Sequence, residues 1–162
     1  MLLFFRPFEL DDVVNAGGHT GKVIDIGLFA TTFHTPDNQK VILPNSAITG
    51  GAITNYTALG TRRGGVDVGV AYGEDIGKVK GILLKAVEGC ETVLQEPAPA
   101  VAFVEMAASS VNFKVLTWSP AADYLAMLDE VRTACYDALN EAGVEIPFDQ
   151  VVVHRAEDDQ AA

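Results

Sequence analysis

The chain has 162 residues, 49% of them hydrophobic and 20% charged, with a formal net charge of −11. That length suits one ordinary domain or two small ones, and the composition is globular rather than disordered. No stretch approaches the roughly 20 apolar residues of a membrane-spanning helix, and no basic run exceeds Arg62-Arg63, which disfavours binding to a phosphate backbone.

In chain order, Met1-Leu2-Leu3-Phe4-Phe5 is apolar but too short to span, and Arg6-Pro7 closes it. It lacks the basic flank, longer apolar region and cleavage site of a signal peptide. The first third then reads as strands. Asp12-Val13-Val14 is a short apolar run. Residues 22–29, KVIDIGLF, place Ile24, Ile26 and Leu28 on one face. Ala30 to Thr35 is β-branched and aromatic, Pro36-Asp37-Asn38-Gln39 is a turn, and residues 40–43 form another strand that Pro44-Asn45 stops. After a short polar stretch, residues 51–56 can form a fifth. Closely spaced short strands suggest a small barrel.

Gly60-Thr61-Arg62-Arg63-Gly64 reads as a hinge or linker. Residues 66–71 alternate as a strand. Glu74-Asp75 opens a helix whose apolar face is Ile76, Val79, Leu83, Ala86 and Val87, with Gly89 as its stop. Pro97 and Pro99 lead into a strand over 101–104, and Ala107-Ala108-Ser109 turns into a strand over 111–118. Ser119-Pro120 offers a capping hydroxyl and a proline at the first helical position. Leu125, Leu128, Val131, Cys135 and Leu139 form the apolar face of that helix, which ends at Ala142-Gly143. Val151-Val152-Val153 is a last strand. From Val66 the order is β-α-β-β-α-β, the ferredoxin-like arrangement. Residues 155–162 are a polar, acidic tail.

The stretch NAGGHTGKV, residues 15–23, invites a phosphate-loop reading. The pattern requires Gly, four residues, Gly-Lys and then Ser or Thr. Ala16 stands where the first glycine belongs, and Val23 where the metal-binding hydroxyl belongs. A strand also follows where a helix should offer its N-terminus. The glycines read instead as a hairpin, with Gly17 and Gly18 at positive φ and Gly21 at a bulge.

Elsewhere the residues offer little chemistry. His19, His34 and His154 are apart from one another and from any cysteine, so no metal set of three or four ligands is expected. Cys90 and Cys135 are far apart in sequence and outside metal-type spacing; they suit a reducing compartment, with Cys135 in a core. Asp11 and Asp12, adjacent on a strand, would point to opposite faces. Ser109-Ser110 lacks a nucleophile-elbow pattern. No catalytic residue, cofactor or nucleic-acid partner is expected, and the chain is not read as an enzyme.

Several stretches together resemble the small-conductance mechanosensitive channel (MscS) family. They are Arg6-Pro7-Phe8-Glu9, Gly17-Gly18 with Gly21, Thr31-Thr32, Pro44-Asn45 and Asn55, then Val70-Ala71-Tyr72 with Asp75-Ile76 and Val79-Lys80, then residues 108–113, Trp118-Ser119, Ala142-Gly143-Val144, Ile146-Pro147-Phe148 and Gln150. The likeness runs from about Leu2 to about Arg155. It implies a small Sm-like (SH3-like) β-barrel over residues 6–58, then a ferredoxin-like βαββαβ domain over 59–154, with 1–5 as the stump of a pore-lining helix and 155–162 as a tail. It also implies the cytoplasmic part of a tension-gated channel in a bacterial inner membrane. There, seven copies would enclose a chamber through which ions and small solutes leave on osmotic downshock, held to the membrane by N-terminal helices that this chain lacks. Arg6, Pro7, Phe8, Gly17, Gly18, Gly21, Thr31, Thr32, Pro44, Asn45 and Asn55 are then structural or interface positions. Strands around 31–35 and 41–43 are expected to meet neighbouring copies, with Pro44 and Asn45 shaping a turn and Asn45 able to cap the next one. Asp11 departs from the family, which usually has glycine there. The rival reading is a stand-alone soluble Sm-like and ferredoxin-like binding or regulatory module.

Overall fold

The computed structural model describes residues 6–153. The expected helix stump, His154 and the polar tail lie outside the described residues. The chain divides into two compact units, one running to Arg63 and including Trp118–Ala126, the other Gly64–Thr117 with Met127 onward.

The first unit is an antiparallel sheet of five strands: β1 (Val13–Ala16), β2 (His19–Ile26), β3 (Ala30–His34), β4 (Lys40–Pro44) and β5 (Thr54–Asn55), in the order β4-β3-β2-β1-β5. The fifth strand is shorter than residues 51–56 would suggest. The polar stretch after β4 is a five-residue helix, α1 (Asn45–Thr49), which buries Ile48. The core gathers Phe8, Val14, Ala16, Val23, Phe33 and Ile48, with Ile26, Val41, Leu43 and Ile53 around it.

One face of β2 differs from the expected run. A register shift between Val23 and Asp25 breaks the alternation. Gly21 and Val23 face inward in ordinary alternation, which leaves Ile24 exposed; the shift then resets the phase, so Ile26 packs on the core while Leu28 is 71% exposed. The bulge sits here and not at Gly21. Gly17 and Gly18 do take φ of 56° and 80° in the β1–β2 hairpin. Gly21 is needed for a different reason. A Cβ there would lie 2.7 Å from the His34 carbonyl oxygen and 3.2 Å from Phe33 Cβ. The bare backbone lets β2 and β3 approach.

The supposed linker is largely strand. Gly60 makes a turn at φ 72°, and β6 (Thr61–Val70) begins at the next residue. Gly64 serves packing, since a Cβ would meet Met127 Cε at 2.7 Å.

After β6 come α2 (Ile76–Glu88), β7 (Ala100–Met106), β8 (Val111–Pro120) and α3 (Tyr124–Glu141), with a second sheet of order β6-β8-β7; the second unit takes these elements except Trp118–Ala126 and the first three residues of β6. β8 alternates strictly, burying Val111, Phe113, Val115, Thr117 and Ser119. Asp75 caps α2 by accepting from the Lys78 amide at 2.7 Å, and Val79, Leu83 and Val87 form its buried stripe. α3 buries Met127, Val131, Cys135 and Leu139, each four residues on from the last. Leu125 falls off that stripe and is 77% exposed. Ser119 is not a cap: β8 runs through it, a 3-10 turn follows over Ala121–Asp123, and no side chain caps that turn. Val151–Val153 form no strand and are exposed, so the sheet has three strands where βαββαβ has four.

The glycine roles predict a ranking. Gly21→Ala, which meets backbone, should cost about 2–3 kcal/mol; Gly18→Ala, strained at positive φ but with nothing within 4 Å, about 1 kcal/mol. Urea midpoints measure both.

Candidate functional site

The polar order of the first unit concentrates in two clusters. In the first, Asn45 ties down the β2–β3 loop. Its amide nitrogen donates to the carbonyls of Gly27 at 2.9 Å and Leu28 at 3.0 Å. Its Oδ1 accepts from Thr31 Oγ1 at 2.9 Å. Its backbone N–H donates to the Phe29 carbonyl at 2.8 Å. Thr31 is wholly buried, so this bond satisfies a hydroxyl that water cannot reach. Asn45 is thus not a helix cap; the N-cap of α1 is Pro44, without a side-chain bond. Beyond the clamp, Leu28 and Phe29 stand 71% and 82% exposed.

The second cluster centres on Asp12, which lies ahead of β1 rather than on a strand. Its carboxylate accepts from the Glu9 amide at 2.9 Å, Asn55 Nδ2 at 2.8 Å and Thr57 Oγ1 at 2.8 Å. Thr57 Oγ1 also accepts from the Val13 amide, and Asn55 Oδ1 accepts from the amides of Thr57 and Ala58. Partial burial pushes the Asp12 pKa up, but these hydrogen bonds outweigh burial and hold it below its ordinary value. The adjacent Asp11 sits at φ 70° and pairs with Lys22 Nζ at 2.7 Å. That pair is exposed and adds little.

The remaining family positions scatter. Phe8 is buried, its ring 6.2 Å from Phe33, while Arg6 and Pro7 are exposed and Arg6 has φ 39°. Thr32 is half-buried opposite Ile42 of β4. β3 is paired on both sides, so of the two expected interface strands only β4 offers a free edge. Sequence reasoning misses the roles of Asp12 and Thr57; the one available signal is the repeated Asx and Thr chemistry around Asn55. In the second unit, Glu130 accepts from the amides of Glu91 and Thr92 and from the Thr92 hydroxyl. The hydroxyl bond is the main cause of its lowered pKa; burial opposes it and the two amides add to it. Cys90 and Cys135, far apart in sequence, are both buried and interact: burial, then Cys90, pushes the Cys135 thiol up to about 11. That thiol is a core group, not a nucleophile. His19 and His34 are exposed.

These clusters order backbone, and the described residues bring together no nucleophile with a base. Two family models match in succession: the mechanosensitive ion channel beta-domain over residues 1–58, and the MscS C-terminal domain over residues 65–146. The chain belongs to the MscS family of mechanosensitive ion channels. It is 39% identical to the small-conductance mechanosensitive channel of Edwardsiella ictaluri over 154 residues, covering 95% of this chain and 54% of that protein. It is 33% identical to the Escherichia coli mechanosensitive channel MscK, covering 95% of this chain and 14% of that protein. The closed-state crystal structure of Helicobacter pylori MscS superposes with a TM-score of 0.91 at 25% identity, covering 97% of this chain and 62% of that one. The chain therefore spans about half the length of the small-conductance relative it matches. No helix among the described residues is long and apolar enough to cross a membrane.

The two clusters can be tested separately. Asn45→Ala strands the buried Thr31 hydroxyl and frees the loop, and should cost about 2–3 kcal/mol by chemical denaturation. For Asp12 the folded pKa is depressed, so its stabilisation is complete above the unfolded carboxylate value of about 3.9 and is lost as pH falls through the lower folded value. Urea midpoints should fall with acid in that window, and Asp12→Asn should flatten the fall.

Proposed function

We propose that the chain is the cytoplasmic cage portion of a small-conductance-type mechanosensitive channel. In this reading residues 6–58 form an Sm-like β-barrel and residues 59–154 a ferredoxin-like α/β domain. The order β6-β8-β7 supports this reading, since a βαββαβ sheet would also set its first, third and second strands side by side. Seven copies surround a chamber on the cytoplasmic side of a bacterial inner membrane. Tension opens a pore in membrane helices supplied by the full-length protein, and ions and small solutes leave through the cage on osmotic downshock. The chain assembles the ring rather than sensing tension.

The supporting observation is the pair of family models in channel order, together with the near-complete overlap with Helicobacter pylori MscS. Surface features agree with self-association. The free edge of β4 carries exposed Ile42, and Leu28 and Phe29 are bare beside the Asn45 clamp. In the second unit, Met106, Phe148 and Val151–Val153 are bare, and the Gln150 amide binds Ser109 Oγ at 3.0 Å beside the β7–β8 turn. With −11 on each copy, the chamber is acidic and enriches cations.

The test is a chimera that carries this chain in place of the matching segment of the Edwardsiella ictaluri channel, studied in membrane patches. Stretch-activated current and survival of downshock are expected. A chimera that reaches the membrane yet passes no current up to patch rupture would overturn the reading. In the same channel, reversing exposed acids such as Asp137 and Glu141 should lower cation preference; unchanged selectivity would remove the acidic-chamber part alone.

A further inference from the structure

The guanidinium of Arg62 lies between two tyrosines, 3.6 Å from the ring centroid of Tyr124 and 4.7 Å from that of Tyr56. Arg63 stands 6.0 Å from the Trp118 ring, and the Ala121 amide donates to the Gly60 carbonyl at 2.9 Å. All these groups belong to the first unit. Its segment Trp118–Ala126 is remote in sequence from the rest of that unit: Trp118–Pro120 end β8, which pairs with β6, Tyr124–Ala126 begin α3, and the turn between them rests on the Arg62 stack and the Ala121 amide. The segment is poorly satisfied internally. Ser119 Oγ is buried with no hydrogen-bond partner among the described residues, which costs stability, and its 3-10 turn has no side-chain cap.

We propose that Arg62 is a releasable clasp: its stack between Tyr56 and Tyr124 holds Trp118–Ala126 on the first unit, and loss of the stack opens that segment locally while the rest stays folded. A planar guanidinium can present a face to each of two rings; an ammonium cannot. The unpartnered Ser119 hydroxyl sets the segment at the weak end of the stability range, where local opening occurs. The clasp does not depend on the channel reading, because every group it uses lies within one unit of the chain.

Hydrogen exchange on the 162-residue protein tests it, with Trp118, the sole tryptophan, as a second probe. In Arg62→Lys and in Tyr124→Leu, exchange over Ala121–Tyr124 should rise roughly three- to tenfold. Acrylamide quenching of Trp118 should rise with it, while amides of Val111–Val115 keep their protection. Ser119→Ala should shift exchange the other way. If Tyr124→Leu fails to fold, Arg62→Lys carries the test. Unchanged exchange in both, or an equal rise across the whole chain, would overturn the clasp, and so would faster exchange in Ser119→Ala.

Discussion

The carboxylate of Asp12 is the group on which the first unit turns. β5 has two residues, Thr54 and Asn55, too few to hold an edge through ladder bonds alone. Asp12 supplies what the ladder lacks by accepting from Asn55 and Thr57 together, and Thr57 passes the order on to the Val13 amide at the start of β1. The Tyr56 amide then bonds to the Val13 carbonyl, which fixes one of the two rings against Arg62. A single half-buried acceptor thus positions β1, β5 and the aromatic stack in sequence. The hydrogen bonds that lower its pKa are the same ones that make this possible.

Backbone geometry, not side-chain chemistry, explains the glycine-rich stretch that resembles a phosphate loop. Gly17 and Gly18 accept positive φ, and Gly21 admits the His34 carbonyl. Two physical needs give one phosphate-loop-like sequence. The Asp11 position bears the same lesson: a turn at φ 70° that glycine would occupy without strain is tolerated by aspartate, the kind of side chain that reaches the left-handed region at lowest cost.

Periodic signals are legible where one rule acts alone. The stripe of α3, the alternation of β8 and the Asp75 cap follow from helical and strand periods and from amide chemistry. They mislead where a neighbour intervenes. The bulge after Val23 puts Ile24 and Ile26 on different faces, which no local pattern announces. Ser119-Pro120 has the form of a helix start, yet pairing in the sheet carries β8 through it. Arg62-Arg63 resembles a solvated linker, but Arg62 is half-buried because Tyr124, 62 residues away, supplies a ring. Asn45 stands out in the sequence while its role does not, for the same reason: its partners at Gly27, Leu28 and Thr31 lie 14 to 18 residues upstream.

The distribution of order bears on what kind of work this chain does. An enzyme concentrates its costly, well-determined contacts around a reacting group. Here the β2–β3 loop, held beside Asn45 by four hydrogen bonds to or from that residue, carries Leu28 and Phe29 facing outward, and the carboxylate of Asp12 braces an edge strand. Hydrogen bonds of this kind fix the shape of a surface. An apolar tip on a loose loop would lose entropy on being covered, whereas one fixed in advance loses little. Such a surface suits association at a fixed geometry, which the proposed self-assembly would require.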